Sequence, residues 1–227
     1  MPVLERGIRW TVEGTHLLPP HGPLLLATNH TSYLDPFAAG YLVDRRHRRP
    51  RFLAKAELFD KPLLGPYLRA AGQIPVLRET DAAAGSLTAA IASLENGECV
   101  VVFPEGTIST DLEPAPARTG VARLAAETGV PVTPVGMWGL HRILFKGRKP
   151  VWRWGVAESI VVGAPIRIAP DEDVYHATDR VMAAIATCVA RARTIYPQRP
   201  APGEDDWWVR SPETAQPRPS VRSEVPT

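Results

Sequence analysis

Six short apolar runs, each closed off by Gly, Pro or polar residues, place the strongest constraint on what this chain can fold into. They fall at Leu24 to Thr28, Arg51 to Ala54, Gln73 to Leu77, Cys99 to Phe103, Val130 to Val135 and Ser159 to Val162. Short, β-branched-rich runs that stay apolar instead of alternating are what strands buried on both faces require. Helical patterns separate several of them. Asp81 to Asn96 sets Leu87, Ile91 and Leu94 on one stripe and meets Gly97 as a stop, and Gly120 to Thr128 carries Val121, Leu124 and Ala125 before Gly129. A longer pattern, about Asp171 to Tyr196, holds Val181, Ile185, Cys188 and Ala192 at helical spacing and ends at Pro197. Strands alternating with helices predict an α/β fold with a largely parallel sheet covered on both faces. Ligands of such folds sit at loops beyond the carboxyl ends of strands.

With 227 residues, 44% of them hydrophobic, the chain suffices for one sizeable core, expected over residues 1–197. From Pro197 prolines and charges replace apolar periodicity, so 198–227 is expected to be a Pro-rich, disordered tail. Trp207 and Trp208 interrupt it, either dipping into a lipid interface or folding back over the domain. The net charge of +2 and the lack of any matching motif exclude a general nucleic-acid binder. Charge is concentrated instead: Arg45, Arg46, Arg48, Arg49 and Arg51 lie together, as a solvated loop or as a surface for anionic lipid or a ligand's phosphates. Two cysteines, Cys99 and Cys188, support neither a disulfide framework nor a metal site, and fit a reducing compartment. The start lacks a signal-peptide pattern and no run approaches the ~18 apolar residues of a membrane span. A cytoplasmic protein, soluble or peripheral on the inner face of the membrane, is expected.

Four stretches carry chemistry, each at the end of a predicted strand. In the first, Asn29 to Pro36, Asp35 is expected to cap a helix with Pro36 at its first position. The four residues between His30 and Asp35 allow the carboxylate to fold back onto one ring nitrogen and leave the other free to take a proton. The plain alternative is a capped helix beside an ordinary loop histidine. The chain has no G-x-S-x-G elbow and no evident Ser or Cys partner for this base, so the hydroxyl it activates is expected to be the substrate's own. In the second stretch, Phe103 to Thr107, Glu105 is placed to accept from polyol hydroxyls, Thr107 and amides near Gly106 to donate to an anion, and the bland reading is a tight turn. The third puts Arg78 at the end of the Gln73 to Leu77 strand, where a guanidinium grips phosphate or forms a surface ion pair. The fourth, Val130 to Gly136, has Pro131 and Pro134 in an apolar strand, which suits an edge or bent strand lining a groove.

In this order and spacing the four stretches, with the lead-in Val12-Glu13-Gly14 and Gly22-Pro23, resemble the lysophosphatidate acyltransferase family with its H-x-x-x-x-D motif, from about Trp10 to Pro165. The resemblance implies a mixed, largely parallel glycerolipid-acyltransferase sheet and transfer of an acyl group from acyl-CoA or acyl carrier protein to the free hydroxyl of 1-acyl-glycerol-3-phosphate. That reaction gives phosphatidic acid, with no cofactor and no metal. It implies His30 and Asp35 as the catalytic pair and Arg78, Glu105, Gly106 and Thr107 as acceptor-binding residues, with Arg118 and Lys55 as further cations for the phosphate. Ile108 and Arg118 depart from the family pattern, which commonly has arginine and lysine there. The missing cation at 108 keeps other acceptors open, such as another lysolipid or a glycolipid hydroxyl. A non-catalytic lipid-binding relative and a hydrolase are the remaining alternatives. The apolar stretch Leu58 to Ala71 is expected to shape an acyl channel, to dip into a bilayer surface, or to form a buried short helix.

Overall fold

A computed structural model describes residues 6–76 and 80–209, apart from the side chains of 80–84. Seven strands form one sheet: β1 (Ile8–Glu13), β2 (Leu24–Thr28), β3 (Pro50–Lys55), β4 (Ile74–Val76), β5 (Cys99–Val102), β6 (Val132–Trp138) and β7 (Val156–Val162). Their order is β1-β7-β6-β2-β5-β3-β4, and every neighbouring pair is parallel except β6 with β7. The sheet is thus mixed and largely parallel, as expected. All six predicted apolar runs became strands. β1 escaped the reading because it lies on the sheet edge and its apolar pattern is broken by Arg9, which is exposed, and by Thr11 and Glu13, which are only partly buried.

Helix α1 (Asp35–Asp44) covers one face of the sheet. There Leu24, Leu26, Val101 and Val135 meet Ala38, Ala39, Leu42 and Val43. Trp10 of β1 closes this layer by stacking on Tyr41, with ring centroids 3.8 Å apart. The short α2 (Leu64–Ala70) joins β3 to β4. On the other face, α3 (Thr80–Glu95), α4 (Gly120–Thr128) and α5 (Val174–Ile195) pack over Leu25, Val100, Val102, Val132 and Val161. α5 comes so close to β6 that a Cβ on Gly136 would lie 2.2 Å from the Cys188 backbone. Glycine is required there for contact rather than for conformation. Cys99 and Cys188 are both buried and free, and burial pushes their thiols up to about 12 and about 11.

Three expectations about the scaffold need correction. β6 is an interior strand between β2 and β7, fully buried, and not an edge. Its Pro134 is tolerated because its carbonyl accepts from Gly163 N (2.8 Å), so its ring nitrogen faces the side where the β7 ladder has already ended at Val162. The arginine cluster lies at the amino end of β3 and is largely structural. Arg48 donates to the carbonyls of Pro19, Gly22 and Gly97, Arg46 to that of Leu18, and Arg51 pairs with Glu98 at 2.6 Å. Within the expected tail, residues 198–209 are packed on the domain. Gln198 bonds Arg142, Ala157 N and Gly155 O, Trp208 is buried against Tyr196 and Arg142, and Trp207 packs on Phe145. Residues 210–227 lie outside the described part.

Candidate active site

The parallel strands β2, β5, β3 and β6 all leave the sheet at the same end, and the connections after them converge there. β2 ends at Thr28. Asn29 then extends the ladder with its side chain: its Nδ2 donates to Met137 O (3.0 Å) and its Oδ1 accepts from Met137 N (2.8 Å). This buried amide stands in for one more residue of backbone and holds the following loop against β6.

His30 comes next. Its Nδ1 lies 3.0 Å from Asp35 Oδ2, and the same oxygen accepts the backbone N–H groups of Thr31 (2.6 Å) and Ser32 (2.7 Å). Asp35 is therefore not the N-cap. It is the first helical residue, Leu34 takes the cap position without a side-chain bond, and the carboxylate turns back to order its own loop. An ionised carboxylate can only accept, so Nδ1 carries the proton and Nε2 the lone pair. His30 Nε2 makes no hydrogen bond among the described residues. The ring stacks on Phe103, with centroids 4.3 Å apart, and its side chain keeps 16% of its surface exposed. Ser32 is no nucleophile for this base, because its Oγ sits 2.8 Å from Leu144 O and 3.1 Å from Leu140 O.

Glu105 also differs from expectation. It is buried, with Oε1 accepting the N–H of His30 (2.8 Å) and Oε2 that of Ala115 (2.9 Å). Burial pushes its carboxyl up to about 8 against the pull of those two bonds, and the nearby charge of Asp35 adds to the rise. Instead of standing open to a polyol, it ties the His30 loop to residues 103–118, and Ser109 N donates to His30 O (2.8 Å) across the same junction. Gly106 adopts φ +64, and its N–H donates to Phe103 O (3.0 Å). Arg118 is exposed and its guanidinium lies over Gly106, 3.5 Å from where a Cβ would sit, so the structure does bring this cation to the site. Thr107 is exposed and touches Lys146 Nζ (3.4 Å), whereas Ile108 is buried. Lys55 is exposed at the end of β3, paired in register with Val76. Arg78 lies outside the described residues.

Sequence reasoning missed Asn29, Ser32, Phe103 and Glu158. Glu158 on β7 is fully buried, accepts from Leu140 N (2.7 Å), and is pushed well above the usual carboxyl range by burial and then by Asp35. A glutamate inside the apolar run Val156–Val162 was the available signal. Leu58 to Ala71 is not a buried helix. Leu63, Leu64 and Tyr67 face solvent, and a cleft of about 470 Å³ lined by Ala56, Phe59, Asp60, Arg69, Gln73 and Pro75 opens beside them. Among the described residues no three His, Cys, Asp or Glu side chains are grouped to hold a metal, and no helix is long and apolar enough to cross a membrane.

The fold and site define a class: a mixed α/β sheet with a carboxylate-oriented histidine at its carboxyl end and, among the described residues, no side-chain nucleophile bonded to that histidine. Comparison with known proteins narrows this class: residues 9–138 match the family model described as Acyltransferase, and the chain belongs to that family. It is 28% identical over 152 residues to the chloroplastic 1-acyl-sn-glycerol-3-phosphate acyltransferase BAT2 of Brassica napus, covering 66% of this chain and 43% of the relative. It is 29% identical over 154 residues to the 1-acyl-sn-glycerol-3-phosphate acyltransferase of Bacillus subtilis, covering 67% and 71%. The lyso-ornithine lipid O-acyltransferase of Rhizobium meliloti is 33% identical over 132 residues, covering 58% and 42%. The chain thus spans about half the length of the first curated relatives it matches. Among solved structures, the 1-acyl-sn-glycerophosphate acyltransferase PlsC of Thermotoga maritima aligns with a TM-score of 0.65 at 26% identity, over 86% of this chain and 75% of that one.

Proposed function

We propose that this chain transfers a fatty acyl group from an acyl thioester to the free hydroxyl of 1-acyl-glycerol-3-phosphate, giving phosphatidic acid for phospholipid biosynthesis at a membrane surface. The observation that carries the reading is the His30 ring, fixed by Asp35 at 3.0 Å with Nε2 left without a hydrogen bond among the described residues. The names of the relatives support the acceptor. In the reaction, Nε2 takes the proton of the acceptor hydroxyl as its oxygen attacks the thioester carbonyl. The tetrahedral intermediate collapses with loss of the thiolate, which takes the proton back from the imidazolium. Asp35 holds the ring and stabilises its charged state. Arg118, with Arg78 and Lys55, holds the acceptor phosphate, and Glu105 acts through the loops it joins.

A second acceptor class has its own support. Ile108 is buried where the family commonly has a cation, and one relative is named for lyso-ornithine lipid. The test is mass spectrometry of products from a lysolipid mixture supplied with acyl-CoA or acyl carrier protein, run beside a folded His30→Gln variant. Phosphatidic acid formed only by the native chain is expected. A dominant acylated aminolipid moves the function to the second reading, and equal turnover by His30→Gln refutes the mechanism.

A further inference from the structure

Two groups that the sequence offered for a lipid surface, the arginine cluster and the Trp207–Trp208 pair, are occupied within the fold. The arginine cluster lies at the amino end of β3, away from His30, with three of its members engaged by the backbone or by Glu98, while Trp207 and Trp208 pack inward against Phe145 and Tyr196. Other large apolar side chains stand in solvent instead. Leu63 is 91% exposed, Trp152 69% and Trp154 72%, and Tyr33 and Tyr67 are each more than half exposed. A water-soluble surface seldom leaves such a set uncovered without a use for it.

Their positions follow from the topology. Tyr33 lies on the connection leaving β2, Leu63 on the one leaving β3, and Trp152 and Trp154 on the one leaving β6. These strands are parallel, so all of these residues project from the end of the sheet that carries His30. Across that end the strand order is β6, β2, β5, β3, which puts the tryptophans on one side of the His30 loop and Leu63 on the other. Tyr33 N donates to Leu144 O (3.3 Å), fixing the tryptophan loop to the base loop.

The charge between the apolar tips is positive. Arg148 and Arg153 pair with Asp205 and Glu204, while Lys61, Lys146 and Lys149 are exposed and form no ion pair among the described residues. Glu57 and Asp60 offset the charge on the β3 side, so the excess sits beside the tryptophans. Indole rings with neighbouring lysines suit the headgroup layer of a bilayer bearing anionic lipid.

We propose that the Val151 to Trp154 loop and the Leu63 tip are two feet on which the enzyme stands on an anionic bilayer, with the partly exposed His30 between them on the lipid side. The reading rests on the proposed lysolipid substrate only for why His30 should face lipid. The docking itself is tested separately. The full chain is mixed with vesicles of phosphatidylcholine alone or with phosphatidylglycerol, then sedimented. The native chain is expected to sediment with anionic vesicles, less at high salt, and with a blue-shifted tryptophan emission. Trp152→Ser and Leu63→Ser alter side chains that stand clear of the core. Each is expected to weaken binding about tenfold and the pair more. Turnover of a water-dispersed short-chain acceptor should stay unchanged while turnover of vesicle-borne acceptor falls. Vesicle binding by the double variant equal to that of the native chain overturns the proposal. So does a native dimer that the double variant abolishes, since a second copy then covers the patch. Binding that depends on these residues without any acyl transfer leaves the docking standing and removes the proposed function.

Discussion

Replacing Asp35 by Asn separates what this carboxylate does for the fold from what it does for the base. Oδ2 receives three donors, Thr31 N at 2.6 Å, Ser32 N at 2.7 Å and His30 Nδ1 at 3.0 Å. An amide oxygen in the same place still accepts from the two backbone groups, so the loop keeps its shape at a cost of about 1 kcal/mol for exchanging charged acceptors for neutral ones. For a chain of this size that is a fall of roughly 2–4 °C in melting temperature. The loss to catalysis is larger. A full imidazolium 3.0 Å from a carboxylate is worth about 5–6 kcal/mol at an effective dielectric constant of about 20. With about half that charge developed in the transition state, the barrier rises by about 3 kcal/mol, and with the full charge by nearly twice that. The turnover number of Asp35→Asn should accordingly fall by about 10²–10⁴ with little change in KM. Release of the thiol product, followed continuously alongside a thermal melt, measures both. A folded Asp35→Asn chain turning over within about threefold of the native rate refutes the assignment of His30 as a base that Asp35 supports.

Asn29→Ala strips Met137 of both side-chain partners inside the sheet and is expected to cost about 2–5 kcal/mol in urea unfolding. Arg118→Ala and Arg78→Ala should raise KM for a phosphate-bearing acceptor more than for the acyl donor, which kinetics with each substrate varied in turn will resolve. For Glu105 the sign of the pH effect is set by burial, which raises its folded pKa from 4.5 to about 8. The folded chain holds a proton that the unfolded chain gives up, so this stability is complete below 4.5 and is lost as pH rises through about 8. Unfolding free energy should decline between about pH 4.5 and about pH 8, and the decline should be shallower in Glu105→Gln, Glu158 adding to it with the same sign.

Much of the scaffold was legible because buried strands must be apolar throughout and helices must carry their stripe, so the five interior strands, the short edge strand β4 and the Gly120–Thr128 helix appear directly in the sequence. β1, on the opposite edge, was not, since Arg9, Thr11 and Glu13 interrupt its apolar pattern. Nor was the interior place of β6, because two prolines in a strand signal an edge unless one knows where the neighbouring ladder stops. The His30–Asp35 pair was readable from spacing. The inward turn of Glu105 was not, because its partners are backbone N–H groups contributed by His30 and by Ala115, and no side-chain pattern records them. The same holds for the arginine cluster, where Arg48 is consumed by three carbonyls from two distant loops.

The burial of Cys99 and Cys188 has a use at the bench. With both thiols inside the core and burial pushing them up to about 12 and about 11, the native protein is expected to be silent toward thiol-reactive dyes. A colour change in a reaction mixture then counts thiol released from the donor and nothing else. In a mixture without acceptor, the slow appearance of two equivalents per chain becomes a clock for opening of the fold, reported by Cys99 in β5 beneath one face of the sheet and Cys188 in α5 over the other.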